Sequence, residues 1–378
     1  MKKTFSPIKV SLISVGLGLV LGLIILIVSG YSPMVLFNAM LRGLVGFTFD
    51  NFGNFNLRNT GEFIVSSLPI ILTGLSVAFA YRTGMFNIGA EGQVMVGACA
   101  SISVAILVPL PGILHVIACV VAGALAGAIW GLIPGFLKSR YKINEFVVCI
   151  MLNYFGMYFS NFILKSLPGS SISKTVIIPE SASLSSDFLS SITNNSRLNW
   201  GILIVGLAIF AYWFILNKTS FGFSLRATGF NEDAAQYAGM KTKRNVIYSM
   251  MIAGALAGLA GAVMSLGTFN MGRVIGAFEN YGFDGIAVAF VGAFNAIGIM
   301  LAGLLFGLLN VMAPLMQAAG VPKEINQIIS AGIVLFVAMQ YGIVLLLSKF
   351  GRKKKKPDKI EGDGNKIEND KVEGGVKA

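Results

Sequence analysis

Charged and titratable side chains are scarce in this chain of 378 residues, of which only 12% are Asp, Glu, Lys or Arg and only 1 is His. A soluble domain carries about 25% charged residues, so the composition excludes an ordinary soluble fold. No G-x-x-x-x-G-K-[ST] phosphate loop occurs, and residues 239–242 (Gly-Met-Lys-Thr) have the wrong spacing for one. No Ser/His/Asp, Cys/His or paired-carboxylate arrangement for covalent or acid–base chemistry is visible either. We therefore expect a non-catalytic chain.

Cysteine is also rare, and its 3 occurrences form no pattern. Cys99, Cys119 and Cys149 all lie in apolar runs, without CxxC or Cys/His spacing. The single histidine, His115, stands at the start of another apolar run, which favours an interfacial and non-catalytic role. The sequence thus predicts no metal site, no disulfide framework and no cofactor bound by this chain.

Apolar residues dominate instead and make up 55% of the chain. They recur in runs of roughly 20 residues, the length of a helix that crosses the hydrocarbon core of a bilayer. This pattern predicts an all-α, polytopic membrane protein of about ten transmembrane helices, with residues 1–350 as one transmembrane domain. The predicted spans are residues 10–29, 63–80, 91–108, 113–137, 145–166, 200–216, 247–269, 284–297, 299–318 and 326–347.

Basic residues indicate how these spans are oriented. Lys2, Lys3 and Lys9 precede the first span, and further Lys and Arg residues follow the second, fourth, sixth and tenth spans; such basic residues stay on the cytoplasmic side of a membrane. Both termini are therefore predicted to be cytoplasmic, with the connections 30–62 and 167–199 outside. The net charge of +12 fits the negative surface of membrane lipid better than nucleic acid. Residues 351–378, rich in Lys, Asp, Glu and Gly, are predicted to be a disordered, charged cytoplasmic tail.

A weak internal similarity suggests that the chain is built from two halves. Residues 96–98 and 291–293 are both Val-Gly-Ala, and Glu91 and Asp284 precede them. Halves of about five spans each have opposite orientations in the membrane, which is the arrangement of an inverted repeat. We therefore expect possible inverted repeats of about five helices.

The segment from Phe86 to Gln93 places one carboxylate and two side-chain amides between two apolar runs. Its glycines disfavour an uninterrupted helix, and irregular backbone at membrane depth is tolerated only where protein covers it or a watery cavity adjoins it. Asn87, Glu91 and Gln93 could therefore bind a polar solute on its way through the membrane. Alternatively they could brace the broken helix ends, with Glu91 capping backbone N–H groups or pairing with Arg82. The sequence leaves both interpretations open.

A second polar stretch, residues 225–240 in the cytoplasmic loop 217–246, predicts a short helix outside the bilayer. It has an Asn at the N-cap, two acidic residues in the first turn, two alanines and a glycine at the stop. Such a helix could be an unpartnered loop helix or a docking helix, and its long basic flank favours docking. The residues concerned are Arg226, Asn231, Glu232, Asp233, Ala234, Ala235 and Gly239.

Four sequence motifs carry a resemblance to a known family: FNIGAEGQ, the preceding GLSVAFAYRTGM, RATGFNEDAAQYAGMKTKRNV and YGFDGIAVAFVGA. They resemble the permease subunits of bacterial ABC importers, in the branch that includes ribose and branched-chain amino acid permeases. Within that branch the chain is most similar to nucleoside-type permeases that work with basic-membrane-protein lipoproteins. The resemblance extends from about Val10 to Leu347. One departure is residues 292–296 (Gly-Ala-Phe-Asn-Ala), where the family leads us to expect a turn containing Arg-Asn.

The resemblance implies a function and a set of partners. Residues 225–240 would form the coupling helix that docks on a separate cytoplasmic ABC ATPase, which would bind the ATP and Mg. A second, homologous permease subunit and an extracellular, lipid-anchored substrate-binding protein would complete an importer in the bacterial cell membrane. Alternating access driven by ATP and cargo would move nucleosides inward.

A nucleoside pathway requires amides or carboxylates for ribose hydroxyls and base edges, and aromatic faces for stacking. An Asn-Tyr pair inside an apolar span adds two candidates to the polar segment. One alternative is the same machinery importing riboflavin or a simple sugar, and an alternative from another class is a proton-coupled secondary carrier in which Glu91 titrates. A membrane-embedded scaffold without transport is a third alternative, which an intramembrane carboxylate disfavours. The candidate pathway residues are Phe86, Asn87, Glu91, Gln93, Asn153 and Tyr154.

Overall fold

The computed structural model describes residues 7–47 and 56–339, and within them it is helical with only isolated β-bridges. The prediction of an all-α polytopic membrane protein is confirmed. Seven helices of the described chain are long and apolar enough to cross a membrane, namely α3, α4, α5, α6, α8, α13 and α11 with its π-helical end, Met264–Phe269. The helices are α1 (Pro7–Val28), α2 (Met34–Leu44), α3 (Arg58–Tyr81), α4 (Ala90–Leu107), α5 (Gly112–Tyr141), α6 (Glu145–Ser166), α7 (Asp187–Ile192), α8 (Gly201–Lys218), α9 (Ser220–Phe230), α10 (Glu232–Tyr237), α11 (Thr242–Val263), α12 (Tyr281–Val291), α13 (Ala296–Ala318) and α14 (Lys323–Ala338).

One predicted span, residues 284–297, is wrong. Helix α12 has 11 residues and ends at Val291, so it is only about 16 Å long at 1.5 Å per residue. Ala293 and Phe294 adopt left-handed backbone angles, with φ of 50° and 55°, and a right-handed helix cannot continue through them. The apolar run 284–297 therefore contains a half-length helix and a turn rather than a span.

Two further differences concern the ends of the chain. The connection 30–62, predicted as an outer loop, contains α2, which packs against α3 and α13 through buried Leu36 and Ala39. The last predicted span, 326–347, is described only as far as α14. The predicted tail, residues 351–378, and the first lysines lie outside the described residues.

Helices α3 and α11 form the centre of the bundle, and each packs extensively against the other and against two helices that are distant in the sequence. α3 packs against α11, α12 and α13, whereas α11 packs against α3, α4 and α5. The two central helices run in opposite directions between the same two ends of the bundle. If α3, α4 and α5 correspond to α11, α12 and α13, each central helix packs against the other and against the two helices that follow the other in its half. An inverted repeat produces this packing.

Glycines allow α5 and α11 to pack with their backbones in contact. A Cβ atom at Gly127 of α5 would collide with the carbonyl oxygen of Gly254 and the Cα of Gly258 on α11. A Cβ atom at Gly131 would likewise collide with the carbonyl oxygen of Met250. Because lipid is as apolar as a leucine side chain, close packing rather than hydrophobic burial holds such helices together.

The two ends of the bundle differ in charge. At one end, called here the basic end, basic side chains outnumber acidic ones around the ends of α5, α8 and α9 and the start of α11. They are Lys138, Arg140, Lys142, Lys218, Arg226, Lys241, Lys243 and Arg244. Two of them are near carboxylates: Lys138 pairs with Glu145 at 2.7 Å, and Lys142 lies 3.6 Å from Glu232 of α10. At the opposite end, residues 167–200 fold over the bundle, and the backbone of Leu184 donates a hydrogen bond to the carbonyl oxygen of Leu266. The basic end is the one that the sequence predicts to be cytoplasmic.

The α5–α11 packing is tested by adding one methyl group. Gly127→Ala should destabilise the protein by about 1–3 kcal/mol, the usual cost of overpacking. We expect a lower melting temperature of the detergent-solubilised protein. Gly206→Ala is the matched control, because a Cβ atom at Gly206 of α8 meets no atom within 4 Å. Equal melting temperatures for the two variants would contradict backbone contact at Gly127.

Candidate functional site

The polar segment forms the break between α3 and α4, as predicted. α3 ends at Tyr81, Gly84 turns the chain with a φ of 77°, and α4 begins at Ala90. The segment then runs back into the bundle, because Asn87 is fully buried and Glu91 is only 2% exposed. We call residues 82–93 the α3–α4 break.

The two amides of the break bind each other. Asn87 donates from Nδ2 to Oε1 of Gln93 at 2.7 Å, and Gln93 donates back to Oδ1 of Asn87 at 3.1 Å. The Nδ2 of Asn87 also lies 3.0 Å from the hydroxyl of Ser76 on α3. A reciprocal amide pair of this kind locks the start of α4 to the end of α3.

The Glu91 carboxylate accepts three backbone hydrogen bonds from the start of α12. Oε1 accepts the N–H groups of Glu279 at 3.0 Å and Asn280 at 2.9 Å, and Oε2 accepts that of Gly282 at 2.6 Å. The first N–H groups of a helix have no intrahelical partner, and negative charge is favoured there. Glu91 thus caps α12 from a different part of the chain, and Gly282 has no room for a Cβ beside the backbone of Glu91.

Asn153 of α6 braces the break from the other side. Its Oδ1 accepts the N–H of Gly92 at 2.8 Å, and its Nδ2 donates to the carbonyl oxygen of Ile88 at 3.0 Å. Two backbone groups that the interrupted helix leaves free are therefore satisfied by one buried side chain. Phe86 packs beside the rings of Phe146 and Phe290.

These contacts favour the bracing interpretation for the buried candidates. The polar atoms of Asn87, Glu91, Gln93 and Asn153 bind protein groups. Arg82 does not pair with Glu91; it donates instead to the carbonyl oxygen of Phe294 at 2.8 Å, beside α12's other end. A direct substrate contact by any of the six candidates stays a prediction.

Tyr154 stands apart from the other five candidates. Its side chain is 51% exposed, and its ring centroid lies 4.8 Å from that of Phe278. On the same face of α6, Tyr158 is 66% exposed. This face of α6 and the segment before α12 together present aromatic rings to the outside of the bundle.

A cavity lies between α4, α6, the π-helical end of α11 and the non-helical residues 270–280. Its wall includes the Arg273–Glu279 ion pair, with 2.6 Å between the guanidinium and the carboxylate. The guanidinium lies 3.6 Å from the centroid of the Phe269 ring, a cation–π contact. The sequence alone does not distinguish this pair from ordinary, balanced loop charge. The signal that could have found it is an Arg and a Glu six residues apart beside the repeated Glu91/Asp284 motif.

The predicted docking helix is two helices rather than one. α9 ends at Phe230, and α10 starts after Asn231, whose side chain accepts the N–H of Ala234 at 2.9 Å. The predicted N-cap is therefore present, and Gly239 ends the unit with a φ of 82°. An extended Asn231, with a φ of −158°, separates the helices because an N-cap residue is itself non-helical.

The α9–α10 unit projects from the basic end. Phe230 and Tyr237 are each 96% exposed, whereas Ala235 is buried beneath them. Of the other predicted residues, Arg226, Asp233 and Ala234 are exposed, and exposed Glu232 pairs with Lys142. Two large, bare aromatic side chains on a short helical unit are typical of a docking surface.

The fold and the site define a polytopic membrane protein with a broken helix pair at its centre and an exposed pair of short helices, the α9–α10 unit, at one end. The chain belongs to the family described as branched-chain amino acid transport system / permease component, which matches residues 59–338. It is 45% identical over 354 residues to the guanosine ABC transporter permease protein NupP of Bacillus subtilis, covering 93% of this chain and 99% of the relative. It is 37% identical over 349 residues to the nucleoside ABC transporter permease protein NupB of Lactococcus lactis, covering 90% and 93%.

A more distant relative is the glucose ABC transporter permease protein TsgB13 of Haloferax volcanii, 30% identical over 73% of this chain and 75% of that protein. No solved structure matches the chain. The family expected from the sequence motifs is therefore confirmed.

Replacing Glu91 tests whether it braces α12. Glu91→Ala leaves three N–H groups without an acceptor, and each buried, unsatisfied donor costs about 1–3 kcal/mol. We expect a lower melting temperature together with loss of transport, although the protein still inserts into the membrane. Glu180→Ala, an exposed glutamate outside the bundle, is the control. Lost transport at an unchanged melting temperature would instead assign Glu91 to the substrate.

Proposed function

We propose that this chain is the permease subunit of an ABC importer that carries nucleosides into the cell. The observation that carries the proposal is the 45% identity, over 93% of the chain, to a protein named as a guanosine ABC transporter permease. The second relative, named as a nucleoside permease, supports the same cargo class. The chain itself hydrolyses no ATP in this scheme; ATP and Mg belong to a separate ATPase.

The proposed assembly contains a second, homologous permease, a cytoplasmic ABC ATPase and an extracellular, lipid-anchored substrate-binding protein. The basic end faces the cytoplasm and both termini are cytoplasmic, because Lys and Arg concentrate on that side of bacterial membrane proteins. The bundle would alternate between outward-open and inward-open states, and ATP binding to the partner would bias the choice.

The α9–α10 unit is the proposed contact with the ATPase. Phe230 and Tyr237 supply the apolar anchors, and their exposure is otherwise unexplained. Gly229 packs directly against the backbone of Arg82 and Gly84, so any Cβ there would collide with the carbonyl oxygen of Arg82. Movement of the docking unit would therefore act directly on the α3–α4 break, and through Glu91 on α12.

The proposed route for the nucleoside runs along the aromatic face of α6 and residues 270–283. Tyr154 and Phe278 offer ring faces on which a base can stack. The adjacent Arg273–Glu279 pair is partly exposed and offers both a donor and an acceptor to ribose hydroxyls. The buried amides of the break would hold this wall in shape.

The rival functions predict different cargo or energy sources. If the cargo is riboflavin or a simple sugar, the permease, the ATPase and the substrate-binding protein keep the same roles. The sugar alternative is worth testing because one relative is named as a glucose permease. A proton-coupled carrier requires a free carboxyl at Glu91 that can exchange protons, but both of its oxygens accept backbone N–H groups at the start of α12. The geometry therefore disfavours a proton-coupled carrier that uses Glu91.

Uptake measurements test the cargo. Cells that keep the partner subunits should lose ATP-dependent uptake of radiolabelled guanosine and other nucleosides when this chain is deleted. Loss of riboflavin or glucose uptake, with nucleoside uptake unchanged, would contradict the assignment of nucleosides as the cargo. Uptake that survives loss of the ATPase and collapses with the proton gradient would overturn the ABC mechanism.

A pair of substitutions tests the docking unit. Phe230→Ala with Tyr237→Ala should reduce ATPase co-purification and cargo-stimulated ATP hydrolysis at least tenfold, since buried aromatic anchors each contribute about 2 kcal/mol or more. Phe188→Ala, at the opposite end and 67% exposed, is the control that should leave co-purification unchanged. Unchanged co-purification in the double variant would refute this docking surface.

A further inference from the structure

A basic pocket to which the proposed transport cycle assigns no ligand lies at the basic end of the bundle. It is formed where α3, α8 and α9 end and α13 begins, and Arg82, Trp213, Asn217, Arg226 and Asn295 are in its wall. The described residues that line it include two arginines and no Asp or Glu. Its positive charge is therefore not neutralised by its own wall.

Several hydrogen-bond donors of this basic pocket remain available. Arg82 donates to the carbonyl oxygen of Phe294 and also contacts the Tyr212 hydroxyl, which leaves further N–H groups available among the five on its guanidinium. Arg226 is exposed and forms no salt bridge with any described residue. Asn295 uses its Oδ1 as an acceptor for the N–H of Ile297, which leaves its NH₂ group free to donate.

The basic pocket opens at the level of the membrane surface. α8 turns Phe210 and Phe214 outward, 59% and 46% exposed, as a lipid-facing helix does. At its basic end, Trp213 is 41% exposed and carries Lys218 at 5.5 Å from its ring centroid. Trp and Lys in these positions mark the interface between hydrocarbon and water.

We propose that the basic pocket binds the phosphate group of an anionic phospholipid. Guanidinium groups match phosphate oxygens in geometry as well as charge, and basic pockets between transmembrane helices on the cytoplasmic side bind anionic head groups. The acyl chains of this lipid run along the exposed aromatic face of α8. The proposal requires a membrane-spanning chain but is independent of the cargo.

Such a lipid would join two parts of the transport machinery. Arg82 belongs to the α3–α4 break, and Arg226 belongs to α9 of the docking unit. A phosphate group between them would hold the docking unit against the break. Anionic lipid would then raise the efficiency with which ATP hydrolysis drives transport.

Native mass spectrometry of the assembled importer tests lipid binding directly. The importer is purified in mixed micelles that contain dioleoyl phosphatidylglycerol or dioleoyl phosphatidylcholine at the same mole fraction. We expect several-fold higher retention of phosphatidylglycerol, and a several-fold fall of that retention in Arg226→Gln and in Arg82→Gln with Arg226→Gln. Because Arg226 is exposed, the single variant remains informative if the double variant fails to fold.

Arg244→Gln is the matched control, since it removes the same charge from the exposed N-terminal turn of α11, outside the basic pocket. Full retention of phosphatidylglycerol in this control supports the proposal. Unchanged retention in Arg226→Gln, or an equal fall in Arg244→Gln, overturns it. Complete displacement of the lipid by soluble glycerol phosphate overturns it as well, because the basic pocket would then be a site for free phosphate.

Discussion

The rest of this structure depends on how backbone N–H groups are satisfied where helices break inside the bundle. Water is scarce at that depth, so each such group needs a partner within the protein. Glu91 supplies three of these partners at the start of α12. These hydrogen bonds stabilise the start of a half-length helix whose first N–H groups have no partner within the helix.

Other polar side chains satisfy the backbone in the same way along the non-helical residues 270–280. Asn161 of α6 accepts the N–H of Ile275 at 3.1 Å and donates to its carbonyl oxygen at 2.8 Å. Thr175, from the segment that covers the opposite end, accepts the N–H of Gly272 at 2.9 Å. The two breaks in the bundle are therefore held by side chains from different elements, so they can move only together with those elements. The α9–α10 unit is connected to the same breaks, because Gly229 of α9 packs against the backbone of Arg82 and Gly84.

Much of the fold could be predicted from the sequence, because a helix that spans lipid has a length and a composition that can be read directly. The N-cap at Asn231, the stop at Gly239 and the break near Glu91 followed from local backbone preferences. The short length of α12 could not be predicted in this way, because the sequence stays apolar beyond Val291. The helix ends there because Ala293 and Phe294 adopt left-handed backbone angles. Alanine and phenylalanine rarely adopt left-handed backbone angles, so the residue types do not predict this turn.

The site was harder to predict than the fold. The residue types of the break were identified, but three of their partners, Glu279, Asn280 and Gly282, lie almost 200 positions away and offer only backbone atoms. No pattern of side chains encodes such contacts. The Arg273–Glu279 pair lies in a cavity wall because α11 ends in a π-helical turn and a left-handed Asn270, after which residues 270–280 are not helical. The sequence does not indicate that arrangement.

Hydrogen–deuterium exchange of the backbone amides of residues 279–282 tests the central claim most directly, measured on the assembled importer in a lipid nanodisc. If the Glu91 carboxylate holds the start of α12, these amides exchange as slowly as those of the buried α5–α11 interface, and Glu91→Ala selectively accelerates them. Rapid exchange of the same amides in the unaltered protein, or no acceleration in the variant, would contradict the account.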